Sequence, residues 1–194
     1  MNQLNRQWFY IGFHKKLRQA YGKEKADEIW KNAADEYARM IKEHPDWKKA
    51  NGNMVLPAAA LYKALPESDR LKMLCAYGNE MGGVFASAVH CITGIPGISG
   101  LIWKNIAALM DTMSSEKHGY RRNIVSEPPF MYGVDILSCP YHELAKQAGC
   151  EEAVLCICHM DKAYMQGFQH IRYERSGAVS EGDPACDYRL HYDK

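Results

Sequence analysis

The chain has almost no net charge: +1 over 194 residues, with 24 lysines plus arginines against 23 aspartates plus glutamates. A chain without a dominant sign gives no electrostatic ground for binding nucleic acid or an anionic membrane. No stretch comes near the ~18 consecutive apolar residues of a membrane-spanning helix. The opening MNQLNRQWFYIGFHKKLRQ lacks the apolar core of a secretory leader. Familiar chemical signatures are missing too. There is no GxGxxG after a strand, no P-loop, no HExxH, no GxSxG and no CxxC. Those absences argue against nucleotide-binding, zincin, α/β-hydrolase and thioredoxin designs. No internal repeat, low-complexity tract or long linker interrupts the chain. Seven cysteines is an odd number, and without a leader they read as thiols rather than a disulfide framework. The expectation is a cytoplasmic protein with one domain over 1–194, its 47% hydrophobic content ordinary for a globular core.

What is present changes period along the chain. Residues 1–118 read as helical. Positions 23–43 are rich in helix formers and put Ala26, Ile29, Trp30, Ala33, Tyr37 and Met40 on one side. His44 and Pro45 stop that helix. After the polar loop DWKKANGN, a short helix is expected from about Pro57 to Leu65. Residues 67–93 form a strong helix, apolar most of the way round, which predicts a central buried element. Gly82 and Gly83 in it permit a neighbour's close approach. A further apolar helix is expected over 101–113.

From 119 to 194 a period of two takes over. Residues 130–138, 169–177 and 185–192 alternate as strands, and 119–127 fits a first strand at the sheet edge. A helix follows Pro140 and another covers 151–167. The fold class expected is α+β, an N-terminal helical layer packed on a small C-terminal antiparallel sheet.

Several reactive side chains fall on inward phases of this plan. Asp161 is the one charge in the stripe Val154, Ile157, Cys158, Asp161, Tyr164 and Met165, and a carboxylate there is costly unless paired or used. His159 lies on the opposite side, so Asp161 is expected to be buried and His159 exposed. Arg175 shares its phase with Ile171 and Tyr173 and needs an anionic partner, either Asp161 or a substrate carboxylate. Cys139 stands at a strand-to-helix junction, where a helix N-terminus favours the thiolate. Cys186 shares a strand face with Tyr188, Leu190 and Tyr192. Glu80 is an acid inside an apolar helix and a second candidate carboxylate. Each has a plainer reading: a buried ion pair, a snorkelling arginine, or a cysteine serving as a small hydrophobe.

The C-terminal pattern resembles the L-2-amino-thiazoline-4-carboxylic acid hydrolase family. The resemblance rests on VDILSCPYHEL (134–144), on CHMD (158–161) and on YERSGAVSEGDPACDYRLHY (173–192), with a weaker match through NMVLPAAALYKAL (53–65). It implies hydrolytic opening of a cyclic amidine-like ring that bears a carboxylate. The matching positions are Cys139, Cys158, Asp161, Arg175, Cys186 and Asp187. Combined with the phases above, Cys139, Asp161 and Cys186 are expected to line one cavity as the catalytic set, with Arg175, Glu80 and Cys158 binding substrate. No cofactor is expected. The alternative is a non-catalytic binding module for a small molecule or zinc, with Cys139, Cys158, Asp161 and Cys186 as the metal ligands. A homo-oligomer is compatible with either reading.

Overall fold

A computed structural model describes residues 3–47, 52–129 and 131–193. The expected strand residue Phe130, and 48–51 of the polar loop, lie outside the described residues. The chain divides into two compact units, Met1–Gly78 with Tyr141–Cys158, and Asn79–Pro140 with His159–Lys194.

The first unit is helical. Helix α1 (Ile11–Tyr21) and helix α2 (Lys23–Glu43) meet at Gly22, whose φ of 78° suits a residue without Cβ. The α2 bounds match the sequence pattern, and its inward stripe is buried from Ala26 to Met40. Helix α3 (Asn53–Ala64) starts four residues before Pro57, so this proline sits inside the helix rather than at its start. Its missing N–H removes the first i→i−4 bond between residues of the helix, the one to the Asn53 carbonyl. The unit also holds the first part of α4 (Arg70–Thr93), most of α7 (Pro140–Gln147) and the start of α8 (Leu155–Met165). The expected helix over 151–167 is a 3-10 turn at Glu151–Val154 followed by α8. Where α4 meets α8 in this unit, a Cβ on Gly78 would lie 2.1 Å from the Cys156 carbonyl oxygen.

The second unit carries the sheet. Strands β1 (Arg121–Ser126), β2 (Met131–Ser138), β3 (Ile171–Glu174) and β4 (Cys186–Tyr192) pair antiparallel in the order β1-β2-β4-β3. The period of two therefore gives the right strands, with β1 at an edge. Tyr132, Val134 and Ile136 of β2 stand opposite Leu190, Tyr188 and Cys186 of β4. With Ile171 and Tyr173 they pack against Trp103, Ile106 and Met165 as one hydrophobic core. The helix expected over 101–113 is two helices, α5 (Ile98–Lys104) and α6 (Ile106–Ser114). Asn105 breaks it: its side-chain amide donates to the Leu101 carbonyl at 2.9 Å, a local bond that competes with the helical ladder.

Helix α4 corrects another expectation. It is not buried all round: Val84 is 58% exposed and Ile92 56%. The reason is visible in this unit, where α4 is approached along its small residues. A Cβ on Gly82 would lie 2.4 Å from the Met160 carbonyl oxygen, and one on Gly167 would lie 2.4 Å from that of Ala86. The stripe Gly82, Ala86 and Thr93 takes the contact, and the bulky aliphatic side chains face outward.

Candidate functional site

Strand β4 sets the geometry. Alternation puts Cys186 and Tyr188 on the core face, and β3 adds Ile171 and Tyr173 to it. Arg175 is the next residue in that phase, just past the end of β3. Its side chain is 6% exposed, so it stays inside rather than snorkelling.

Asp161 approaches from α8. The Tyr188 hydroxyl donates a hydrogen bond to Asp161 Oδ2. Arg175 Nη1 lies 3.6 Å from the same oxygen and 3.3 Å from the Tyr188 Oη. The guanidinium carbon sits 5.7 Å from the centre of the Tyr188 ring, in reach of a cation–π attraction. Burial pushes the Asp161 carboxyl above its usual range, while the Tyr188 hydrogen bond and the Arg175 charge pull it back. Desolvation therefore wins over pairing. Burial also pushes the Tyr188 phenol well up, and Asp161 adds to it.

Cys186 belongs to this group. Its Sγ accepts the Val179 N–H at 3.2 Å. Burial raises its thiol pKa, against the opposing influence of that bond and of Arg175, so the neutral thiol dominates at ordinary pH. Asp187 works beside it on the opposite phase. It accepts the N–H groups of Ser176 and Gly177 at 2.9 and 2.6 Å and the Ser176 hydroxyl. These bonds fix the turn that carries Arg175 into place, and their hydrogen bonds outweigh burial to lower the Asp187 pKa.

Tyr173 completes the arrangement. Its ring lies 5.5 Å from that of Tyr188. Its hydroxyl is buried and has no hydrogen-bond partner among the described residues. Burial first, and the Asp161 charge second, raise its pKa.

Beside this group lies an open groove of about 370 Å³, lined by Lys162, Gln166, Tyr173, Glu174, Arg175, Ser176, Asp187 and Arg189. Arg175 is the one member of the expected set on its lining. Cys139 is half-buried at the end of β2 and packs on the sheet core. Glu80 is exposed on α4. Cys158 falls in the first unit, where it bears on the pKa of Cys156. The contrast expected between Asp161 and His159 is also absent, since both are half-buried. His159 finds a partner in Asn79, Nδ1 to Oδ1 at 3.3 Å, and burial lowers its pKa. Among the described residues no three His, Cys, Asp or Glu side chains are placed to share a metal ion.

The sequence reading passed over Tyr173 and Tyr188 as functional groups. The signal was present, since both sit in the phase of Arg175 and Cys186, but a tyrosine in an apolar phase reads first as core. Lys162 lies off the apolar stripe of α8, and an exposed lysine on a helix gives no functional signal by residue type.

A family model described as L-2-amino-thiazoline-4-carboxylic acid hydrolase matches residues 1–190. No curated protein matches the chain. Among solved structures, the crystal structure of a trafficking protein particle complex subunit 3 from Naegleria fowleri covalently bound to palmitic acid is 15% identical. It covers 88% of this chain and 98% of its own, at a TM-score of 0.32, a likeness too low to carry an argument.

Proposed function

The chain belongs to the L-2-amino-thiazoline-4-carboxylic acid hydrolase family, and on that footing we propose that it opens a small cyclic amidine or thiazoline that bears a carboxylate. The substrate is 2-amino-thiazoline-4-carboxylate or a close relative. The observation that carries the reading is the Asp161–Tyr188–Arg175 group with Cys186 in its field.

In such a ring the carbon between nitrogen and sulfur becomes electrophilic when the nitrogen is protonated. The Asp161 carboxylate stabilises that amidinium and takes a proton from an attacking water. The water oxygen bonds to the ring carbon, and the carbon–sulfur or carbon–nitrogen bond breaks. Cys186, kept as a thiol by burial, gives its proton to the leaving atom and recovers one from Asp161. One water is consumed and the protons balance. Arg175 and Tyr188 set the basicity of Asp161, and Arg175 adds a positive field for the substrate carboxylate. Cys139 packs on the sheet core, and its serine variant tests whether the chemistry needs a thiol other than that of Cys186.

The test is hydrolysis of 2-amino-thiazoline-4-carboxylate by the parent and by Asp161→Asn, Cys186→Ser and Cys139→Ser, with circular dichroism to confirm folding. Removing a general base lowers turnover by about 10²- to 10⁴-fold, and that is the result expected for Asp161→Asn. A parent inactive on this ring and its relatives overturns the proposal, and so does a full set of variants that turn over at the parent rate.

A further inference from the structure

We propose that Lys162 is the residue that holds the substrate carboxylate, and that the groove beside it is selective for small ring acids over their neutral analogues. The inference rests on the hydrolase reading for its substrate, but its observations are separate.

Five charged side chains line the groove: Lys162, Glu174, Arg175, Asp187 and Arg189. Four are already committed. Arg175 faces Asp161 and Tyr188. Arg189 pairs with Asp135 at 2.7 Å and donates to the Val134 and Tyr188 carbonyls. Asp187 takes the backbone and hydroxyl of the 176–177 turn. Glu174 is met by Arg172 and by His191 at 3.5 Å. Lys162 makes no ion pair or hydrogen bond with any described residue.

An arriving anion gains most from the cation whose donors are unused. Drawing Arg175 away would leave Asp161 without its compensating charge inside the protein. Lys162 gives three donors at no such cost, and its flexible stem adapts to a small ligand. It lines the same groove as Arg175, which faces Asp161, so a carboxylate held there stays near the acid that the reaction uses. A ring acid brings what the lining lacks, an anion for Lys162. The volume, about 370 Å³, lies at the small end of the range for ligand sites.

The experiment is calorimetric titration of the full chain with L-thiazolidine-4-carboxylate, a ring acid without the amidine carbon, and with thiazolidine, which lacks the acid. The parent is expected to prefer the acid. Lys162→Met should weaken acid binding roughly tenfold, the scale of one charge-assisted hydrogen bond, and leave the neutral ring unaffected. Lys162→Arg should retain most of the preference. Lys117→Met, an equal change of net charge on an exposed turn, should leave it intact. The inference is overturned if the parent does not bind the acid, if Lys162→Met binds it like the parent, or if Lys117→Met loses as much. Hydrolysis of 2-amino-thiazoline-4-carboxylate is read in parallel. A parent that binds the acid through Lys162 and hydrolyses nothing sinks the hydrolase reading alone. A parent that hydrolyses the ring while Lys162→Met keeps the same KM sinks this inference alone.

Discussion

Arg175 Nη1 stands 3.6 Å from Asp161 Oδ2, longer than a hydrogen bond of ordinary length. The direct contact to that oxygen comes from the Tyr188 hydroxyl. Asp161 is thus paired loosely with a charge and tightly with a phenol. That is why burial, rather than the arginine, decides the direction of its pKa. A carboxyl held in this state is easier to protonate than an exposed one and still keeps 29% of its side-chain area accessible.

The first prediction follows from the phenol. Tyr188→Phe removes the hydrogen bond that lowers the Asp161 pKa, so that pKa rises further. If Asp161 acts as a base, activity climbs with pH through its pKa, and the acid limb of kcat/KM should move to higher pH in the variant. An unmoved limb with reduced activity would assign Tyr188 to substrate contact instead.

The arginine gives the second. Arg175→Met leaves Asp161 without its opposing charge, and loss of a buried partner destabilises by about 1–3 kcal/mol once the partial exposure of Asp161 is allowed for. The penalty should shrink in acid, where Asp161 is protonated and has no charge to compensate. Denaturant titration of Arg175→Met, Asp161→Asn and the double variant forms the check. The double variant should recover part of the loss. Strict additivity would mean that the two residues do not interact.

How far the sequence reaches can be judged on these residues. The strand phases of 171–175 and 186–192 are set by side chains that must alternate between core and water, so the inward positions of Arg175 and Cys186 are legible. The charges that decide Asp161 are not. Tyr188 lies 27 positions away from it, and whether a phenol or an arginine reaches the carboxylate first depends on how α8 settles over the sheet. The burial of α4 misread for a related reason. Hydropathy predicts its large side chains inside, which holds for Leu74 and Tyr77, but in the second unit close approach selects glycine and alanine, and Val84 and Ile92 are left outside. The break at Asn105 was not legible in residue type, since Asn32 and Asn79 stand inside α2 and α4 without breaking them.

A third prediction concerns pH and stability through Asp187. Its pKa is lowered in the folded protein from the ordinary 3.8, with the bonds from Ser176 and Gly177 outweighing burial. A lowered carboxyl contributes stability above its unfolded pKa and loses it as pH falls through the folded value. Asp187→Asn should therefore melt below the parent at neutral pH, and the two melting curves should converge below about pH 4. A gap that stays constant into acid would show that shape, not charge, holds the 176–177 turn.

The last prediction separates two adjacent glycines. A Cβ on Gly82 would lie 2.4 Å from the Met160 carbonyl oxygen and 2.6 Å from the Ala163 Cβ, whereas one on Gly83 meets nothing within 4 Å. Both sit inside α4, and neither has a positive φ, so backbone strain is not the difference. Gly83→Ala replaces a flexible residue with the best helix former at an exposed position and should stabilise by about 0.5–1 kcal/mol. Gly82→Ala must push α8 away from α4 against a rigid carbonyl, and overpacking of this kind costs about 1–3 kcal/mol. It should also reduce activity, because α8 carries Asp161 and a shift of its backbone alters the Tyr188 contact. Thermal melts and turnover of the two variants make the comparison. Equal stability would refute the close packing of α4 against α8. A destabilised Gly82→Ala with parent turnover would show instead that Asp161 tolerates displacement, which a residue acting at the reacting atoms does not.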